Sequence, residues 1–223
     1  MKTAIGSCLR SRPRNRAIAV SLALTVTVLD FLIVGFPGAY DEEKRLVLAL
    51  VGCAAIVGLA DGDAQSLGLR FTPRQGWLWW TKSVFGLALV IAIALGLYAG
   101  VLILFGQTLP IRRCPPAFFT SYFWQMCVLA PTMEEAIYRF ILCVPLAAAI
   151  GGWKTIFTSG AVFAVLHVVY GNPSPENIFG GFLIAWAFVI SESILIPFLL
   201  HAGGNFIVLL SNVAAWHFLP PSI

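Results

Sequence analysis

Residues 131–139 are Pro-Thr-Met-Glu-Glu-Ala-Ile-Tyr-Arg, and they place two adjacent carboxylates and a guanidinium inside an otherwise apolar segment. A carboxylate in hydrocarbon costs at least about 3 kcal/mol even on scales measured by membrane insertion. Intramembrane Glu and Arg are therefore usually paired, face the protein interior and serve a function. The stretch predicts a helical membrane protein that surrounds a polar site.

The composition of the whole chain supports this prediction. Of its 223 residues, 59% are hydrophobic and 11% are charged, and the mean hydropathy is +0.89. Soluble domains carry about 25% charged residues. No interval between apolar runs is long enough for a separate soluble domain. We therefore predict one all-α domain over residues 17–223, a polytopic transmembrane helix bundle whose active site lies within the membrane.

Basic residues precede the first apolar run. Residues 1–16 contain no acid and five of the 14 Lys and Arg residues, namely Lys2, Arg10, Arg12, Arg14 and Arg16. Lys and Arg beside a first span favour retention on the cytoplasmic side. We expect residues 1–16 to be a basic cytoplasmic segment. The net charge of +4 then reflects topology and does not indicate a nucleic-acid partner.

Apolar runs predict about seven spans, within a range of six to eight. They cover residues 17–36, 46–60, 77–105, 118–150, 155–170, 178–190 and 196–218. About 20 apolar residues cross the hydrocarbon as a helix. Asp30 in the first run is predicted to be an interfacial or helix-pairing residue. Residues 41–45 are predicted to form a polar turn and residues 61–76 a cytoplasmic loop.

The charged stretch itself has two predicted features. Pro131 lacks a backbone N–H, so the helix either kinks there or begins a new piece. Glu135 and Arg139 are four residues apart and are predicted to form an ion pair. Glu134 points about 100° away, toward another helix. This motif alone fits either a buried clamp without chemistry or a reactive carboxylate.

Two other spans carry polar side chains of the kind that hydrolysis needs. One contains His167, and the other contains His201 and Asn205, one helical turn apart. Gly203 and Gly204 lie between this pair and are predicted to allow close backbone approach. A desolvated Glu assisted by His can take a proton from water as a general base. Donors such as His and Asn can stabilise the oxyanion of an attacked amide.

These segments resemble the three motifs of the CPBP family, the CaaX-processing and bacteriocin-processing intramembrane proteases also called Abi proteins. The family patterns are Glu-Glu-x-x-x-Arg, Phe-x-x-x-His and His-x-x-x-Asn. They are matched in order by Glu134, Glu135 and Arg139, by Phe163 and His167, and by His201 and Asn205. The resemblance covers about residues 117–210, which we take as the catalytic core.

The resemblance implies an intramembrane endopeptidase. Such an enzyme would cut a peptide bond near a lipid-modified or membrane-anchored segment of a substrate protein. Glu134 and His167 would activate the water, and His201 and Asn205 would form the oxyanion site. The expected partners are the lipid bilayer and a membrane-associated protein or peptide substrate, and the sequence does not indicate the oligomeric state.

Three residues are implied to support the site, and the question of a metal stays open. Glu135 and Arg139 would hold the first motif in shape, and Phe163 is the third supporting residue. The family has been described as metalloproteases, yet one Glu, two His and one Asn also work without metal. We predict no cofactor and no metal ligand, with zinc left open, so the enzyme is either a glutamic or a metal-dependent protease.

The length of the sixth span sets the predicted depth of the site. Residues 178–190 reach only about 20 Å as a helix. The turn at residues 191–193 is therefore expected to stop inside the protein, so that the seventh helix begins at mid-depth and brings His201 to His167. On this count the site lies in the outer half of the bilayer. That depth suits an enzyme of the bacterial inner membrane that trims exported proteins or their C-terminal anchors.

Two other functions fit parts of the pattern. A non-enzymatic immunity or scaffold protein could keep the same fold, and a proton-coupled transporter could use Glu134 and His167 as a relay. A proton relay needs titratable groups and does not require an amide such as Asn205 one turn from His201. This argues against the transporter. For a protease, the possible substrates include prenylated Cys tails, leader peptides with double-Gly ends and C-terminal sorting segments.

Overall fold

The computed structural model describes residues 3–36, 42–107 and 112–218. Lys2 of the predicted basic segment, Asp41 of the predicted turn and residues 219–223 of the predicted membrane domain lie outside these ranges. The chain divides into two compact units. The first comprises Met1–Arg74 and Ala130–Leu199, and the second comprises Gln75–Leu129 and Leu200–Ile223.

The described residues form helices throughout and no strand, which confirms the all-α prediction. The first four helices are α1 (Ser7–Arg10), α2 (Pro13–Gly35), α3 (Glu42–Leu59) and α4 (Trp77–Leu104). After a 3₁₀ turn at Pro116–Phe118 come α5 (Phe119–Tyr122), a π-helical segment (Phe123–Leu129), α6 (Ala130–Glu134), a second π-helical segment (Glu135–Ile141) and α7 (Cys143–Ile150). The last three are α8 (Gly152–Val169), α9 (Pro175–Ser191) and α10 (Leu195–Phe218).

Three of the described helices are long and apolar enough to cross a membrane. They are α2, α8 and α10, and α9 contains a shorter apolar stretch, Asn177–Ser191. Such helices support an integral membrane protein. The count of seven spans stays a prediction.

The predicted polar turn before α3 is wrong in its described part. Glu42 to Arg45 form the first turn of the helix. Two acids there, Glu42 and Glu43, interact favourably with the positive end of the helix dipole. Arg45 is only 5% exposed because its side chain turns inward to α2.

Helix α9 is longer than predicted. It begins at Pro175, a residue well suited to a first helical position, and its 17 residues reach about 26 Å. The turn that follows is buried, as predicted, since Ser191 and Ser193 are both 0% exposed. The backbone N–H of Ile194 donates to the Gly68 carbonyl at 2.8 Å. This contact places the turn with the loop predicted to be cytoplasmic, whereas the short helix predicted a turn at mid-depth.

Glu192 joins this turn to the N-terminal segment. Its carboxylate is 2% exposed and accepts the backbone N–H of Ala4 at 2.8 Å. Arg70 and Arg74 donate to the same carboxylate at 3.1 and 3.2 Å. The N-terminal segment, the loop after α3 and the turn after α9 therefore meet at one end of the first unit.

The N-terminal segment is also packed into the core of the first unit. Ile5 and Leu9 are both 0% exposed. Gly6 has φ of +71°, and a Cβ on it would lie 2.6 Å from the Val144 carbonyl oxygen in α7. A glycine is required there because an L side chain would have neither the conformation nor the space.

Close helix packing in the first unit depends on small residues. A Cβ on Gly181 in α9 would lie 2.8 Å from Cδ1 of Phe163 in α8. A Cβ on Gly52 in α3 would lie 2.5 Å from Cδ1 of Ile141. The Gly- and Ala-rich second span thus packs closely on its neighbours, as small residues in membrane helices commonly do.

The second unit has its own small core. Cys114, Cys127 and Leu209 are buried there, and Phe123 meets Phe206 edge to face at 5.9 Å between ring centres. Most of the large apolar side chains described on α4 are exposed, which suits contact with lipid.

Candidate active site

The two adjacent carboxylates lie in the first unit, on a helical stretch with π-helical geometry. Helix α6 follows the π-helical segment Phe123–Leu129 without a gap, so Pro131 lies within continuous helix. The π-helical segment Glu135–Ile141 comes directly after α6. Such π-bulges occur frequently at functional sites. The kink or new helical piece predicted at Pro131 stays a prediction.

The ion pair predicted from the spacing of Glu135 and Arg139 is present. Arg139 Nε lies 3.2 Å from Glu135 Oε2, and the two side chains are 0% and 2% exposed. Arg139 Nη1 also donates to Ser159 Oγ at 3.0 Å, and the Ser159 hydroxyl donates to the Tyr138 carbonyl at 3.1 Å. The guanidinium carbon lies 5.0 Å from the centre of the Phe163 ring. Arg139 thereby links the first motif to α8.

Glu134 faces a cation from another helix, a contact that the residue spacing does not predict. Its Oε1 lies 3.9 Å from Arg45 Nη1, and its side chain is 13% exposed. Arg45 is itself held by Asp30 of α2, with Nε to Oδ1 at 2.6 Å and Nη2 to Oδ2 at 3.1 Å. The Tyr138 hydroxyl donates to the same Asp30 carboxylate. Asp30 is thus a helix-pairing residue, one of the two roles predicted for it.

The sequence indicates the Asp30–Arg45 pair but not the contact of that pair with Glu134. Asp30 is the one acid in the first apolar run, and Arg45 lies at the start of the next helix. Two charges on consecutive helices joined by a short connection suggest a pair. Sequence spacing alone does not show that the pair reaches Glu134, about 90 residues further along the chain.

His167 lies in the last turn of α8 with a defined hydrogen bond. Its Nδ1 is 3.0 Å from the Phe163 carbonyl oxygen, and because a carbonyl only accepts, Nδ1 carries the hydrogen. In the neutral ring, Nε2 then has a lone pair for a proton or a water. The Phe163 ring contacts the His167 ring in a tilted arrangement at 4.2 Å between ring centres and meets Tyr138 edge to face at 5.5 Å. Phe163 thereby joins the first and second motifs within the first unit.

His201 and Asn205 belong to the second unit. Asn205 Nδ2 donates to the Met126 carbonyl at 2.7 Å. An amide nitrogen carries two hydrogens, so one of them stays available for another acceptor. The close approach predicted at Gly203 and Gly204 is not found among the described residues, where a Cβ on either would meet no atom within 4 Å.

The side chains of the three motifs include possible metal ligands. No group of three or more His, Cys, Asp and Glu side chains suited to a metal ion occurs within the described ranges. Structural and catalytic zinc sites usually have three or four such ligands. The donor set of the three motifs is one Glu, two His and one Asn.

Residues 116–207 match the model of one protein family, described as type II CAAX prenyl endopeptidase Rce1-like. The matched range holds Glu134, His167, His201 and Asn205, together with the rest of their motifs. The matched segment is similar to CAAX proteases. The match supports the resemblance given by the motifs, and it implies a protease that acts on membrane-associated protein substrates. No curated protein and no solved structure matches the chain.

The matched segment covers less than half of the chain. It extends from the 3₁₀ turn before α5 into α10. Asp30 and Arg45 lie outside it, although both are in contact with residues of its first motif. The contacts of the site in the first unit therefore extend beyond the family segment.

Proposed function

We propose that the chain is an intramembrane endopeptidase of the CAAX type. It would hydrolyse a peptide bond near a lipid-modified or membrane-anchored segment of a substrate protein. The observation that carries the proposal is the presence of three motifs, in order, inside the matched range 116–207. The contacts that Arg139 and Phe163 make between the first two motifs support it.

In this mechanism Glu134 is the general base. It takes a proton from water while the oxygen of that water attacks the scissile carbonyl carbon. His167 orients the same water through Nε2, the nitrogen left with a lone pair by the hydrogen bond at Nδ1. Glu134 then passes the proton to the departing amine, so that the carboxylate is regenerated.

His201 and Asn205 would complete the site by donating hydrogen bonds to the oxyanion. The second hydrogen of Asn205 Nδ2 is suited to this role, since the first is bound by the Met126 carbonyl. Removal of one such donor typically costs about 10²–10³-fold in rate. Assembly of these two residues with Glu134 and His167 is part of the proposal.

The protein is proposed to span the membrane seven times, with its N-terminus in the cytoplasm and His167 toward the outer side. Two features of the first unit support this. The basic N-terminal segment meets the turn after α9 at one end of the unit. His167 lies in the last turn of α8, only two residues before the helix ends at Val169.

The direct test is the variant E134Q, which keeps the shape of the side chain and removes its basicity. Purified wild type and E134Q are compared in proteoliposomes on three fluorescence-quenched peptides: a prenylated Cys tail, a double-Gly leader and a C-terminal sorting segment. We expect the wild type to cleave one of them and E134Q to lose about 10²–10⁴-fold in rate, the usual contribution of a positioned base.

Each outcome decides between the protease and a non-enzymatic scaffold. Loss of cleavage by E134Q, with unchanged thermal unfolding, supports the general base. Cleavage retained by E134Q, or no cleavage by the wild type of any of the three peptides, contradicts the proposal. A chelator titration on the active enzyme separates a glutamic from a metal-dependent mechanism.

A further inference from the structure

Glu134, the proposed base, belongs to a cluster of charged side chains that come from three helices. Asp30 of α2 has no exposed side-chain surface, and Arg45 of α3 has 6%. Arg45 uses Nε and Nη2 to bind both oxygens of Asp30, and its remaining nitrogen, Nη1, is the one that lies 3.9 Å from Glu134. The guanidinium therefore bridges the two carboxylates.

The two contacts of Arg45 differ in closeness. A charge-assisted N–H···O bond is normally about 2.7–2.9 Å long. The contact with Asp30 reaches 2.6 Å, whereas the contact with Glu134 stays at 3.9 Å. Because Asp30 binds the planar guanidinium from one side, Arg45 does not come within hydrogen-bond distance of Glu134. The guanidinium thereby faces Glu134 at ion-pair distance and makes no short contact with it.

The neighbouring charges of the cluster are paired. Asp30 binds Arg45, and the Tyr138 hydroxyl adds a donor to the Asp30 carboxylate. Glu135 is in turn paired with Arg139. A buried pair of this kind is costly to desolvate and is not by itself a source of stability.

We propose that Asp30 and Arg45 are positioning residues that hold the Glu134 carboxylate ready to accept a proton. Asp30 acts through Arg45, by keeping the guanidinium at a distance from which it orients Glu134 without capturing it. This inference rests on the proposed role of Glu134 as the base. It assigns a part in the reaction to two helices that lie outside the matched range 116–207.

The test is a double-mutant cycle on cleavage of whichever of the three peptides the wild type cuts. The variants are D30N, R45Q and D30N/R45Q, with R45K as the conservative change. D61N is the control, because Asp61 pairs with Arg12 at an exposed site where the two side chains are 53% and 45% exposed. Rates are expressed per folded enzyme, with folding measured by thermal unfolding.

We expect D30N and R45Q each to lower kcat by about 10- to 100-fold, a part of what a positioned base contributes. KM is unchanged, since neither residue is placed in contact with substrate. In the R45Q background, D30N causes no further fall, because Asp30 acts only through Arg45. R45K recovers part of the loss because Lys keeps the charge but not the fork. D61N behaves as the wild type.

Three results overturn the inference: wild-type kcat in both R45Q and D30N, a rise in KM alone, or losses that multiply in the double variant. If D30N fails to fold because Arg45 is left unpaired, comparison of D30N/R45Q with R45Q still decides. If E134Q is inactive while both single variants keep wild-type kcat, the inference fails and the proposed function stands. If E134Q keeps its activity, the proposed function itself has failed.

Discussion

Arg139 is the most enclosed cation in the first unit. It is 0% exposed and contacts Glu135, Ser159 and Phe163 through a charge, a hydrogen bond and a ring face. A planar guanidinium can make all three contacts at once, whereas an ammonium cannot. Its role is therefore to hold the first motif against α8, and its loss should appear first in stability.

We expect R139M to destabilise the protein by about 3–5 kcal/mol, because the buried Glu135 carboxylate loses the guanidinium that faces it. The double variant E135Q/R139M should recover part of this loss, since no charge remains. S159A is the graded control, because it removes two hydrogen bonds that are each worth about 1 kcal/mol. Thermal and denaturant unfolding in detergent measure the three variants. A double variant less stable than R139M would contradict this account.

Residue spacing predicted one of the two carboxylate contacts and missed the other. Glu135 and Arg139 are neighbours within one helix, so their contact follows from local geometry, and it persists in the π-helical segment. The contact of Glu134 with Arg45 depends on how α3 packs beside α6. Nothing in the spacing of the first motif contains that information.

The second motif lies on the helical hairpin formed by α8 and α9. Phe163 is packed between Gly181 on α9 and the His167 ring on its own helix. Any side chain at position 181 must therefore displace Phe163, and through it His167. The neighbouring Gly180 meets no atom within 4 Å of a Cβ position, so the two glycines form a matched pair.

We expect G181A to cost about 1–3 kcal/mol through overpacking, and to lower the cleavage rate because His167 shifts. G180A should be neutral or stabilising by up to about 1 kcal/mol, since alanine is the better helix former and has space. Unfolding and cleavage assays on both variants check this. Equal behaviour of the two would refute the packing role of Gly181.

The elements themselves followed closely from apolar periodicity, and the errors lie at their ends. Helix α3 begins before the predicted span because the acids at its start stabilise a helix terminus. Helix α9 begins at Pro175 and ends in the buried turn, so it exceeds the predicted short span. Both ends are set by charges and tertiary contacts outside the apolar run.

Several segments that are distant in sequence meet at one end of the first unit. The carboxylate of Glu192 accepts hydrogen bonds from Ala4, Arg70 and Arg74. The basic N-terminal segment is therefore attached to the turn after α9. Since α9 reaches about 26 Å from this turn to Pro175, the loop before α9 lies toward the opposite end of the unit.

We expect reporter fusions at residue 174 and at the C-terminus to lie outside the cytoplasm, with a fusion at residue 63 inside. Paired phosphatase and fluorescent-protein reporters give opposite signals on the two sides of the membrane. The positive-inside bias and the attachment of the N-terminal segment to the turn after α9 are the reasons. Cytoplasmic signals at both residue 174 and the C-terminus would refute the seven-span topology.

The sequence by itself determined the all-α class, the helical segments, the Glu135–Arg139 ion pair and the motifs that point to a CAAX-type protease, because each depends on local spacing or on apolar length. Tertiary structure decided what each motif residue touches. Arg45 reaches Glu134, and Arg139 reaches Ser159 and Phe163, only because helices distant in sequence pack side by side. Contacts between such helices are set by shape and charge in three dimensions, which no period along one chain encodes.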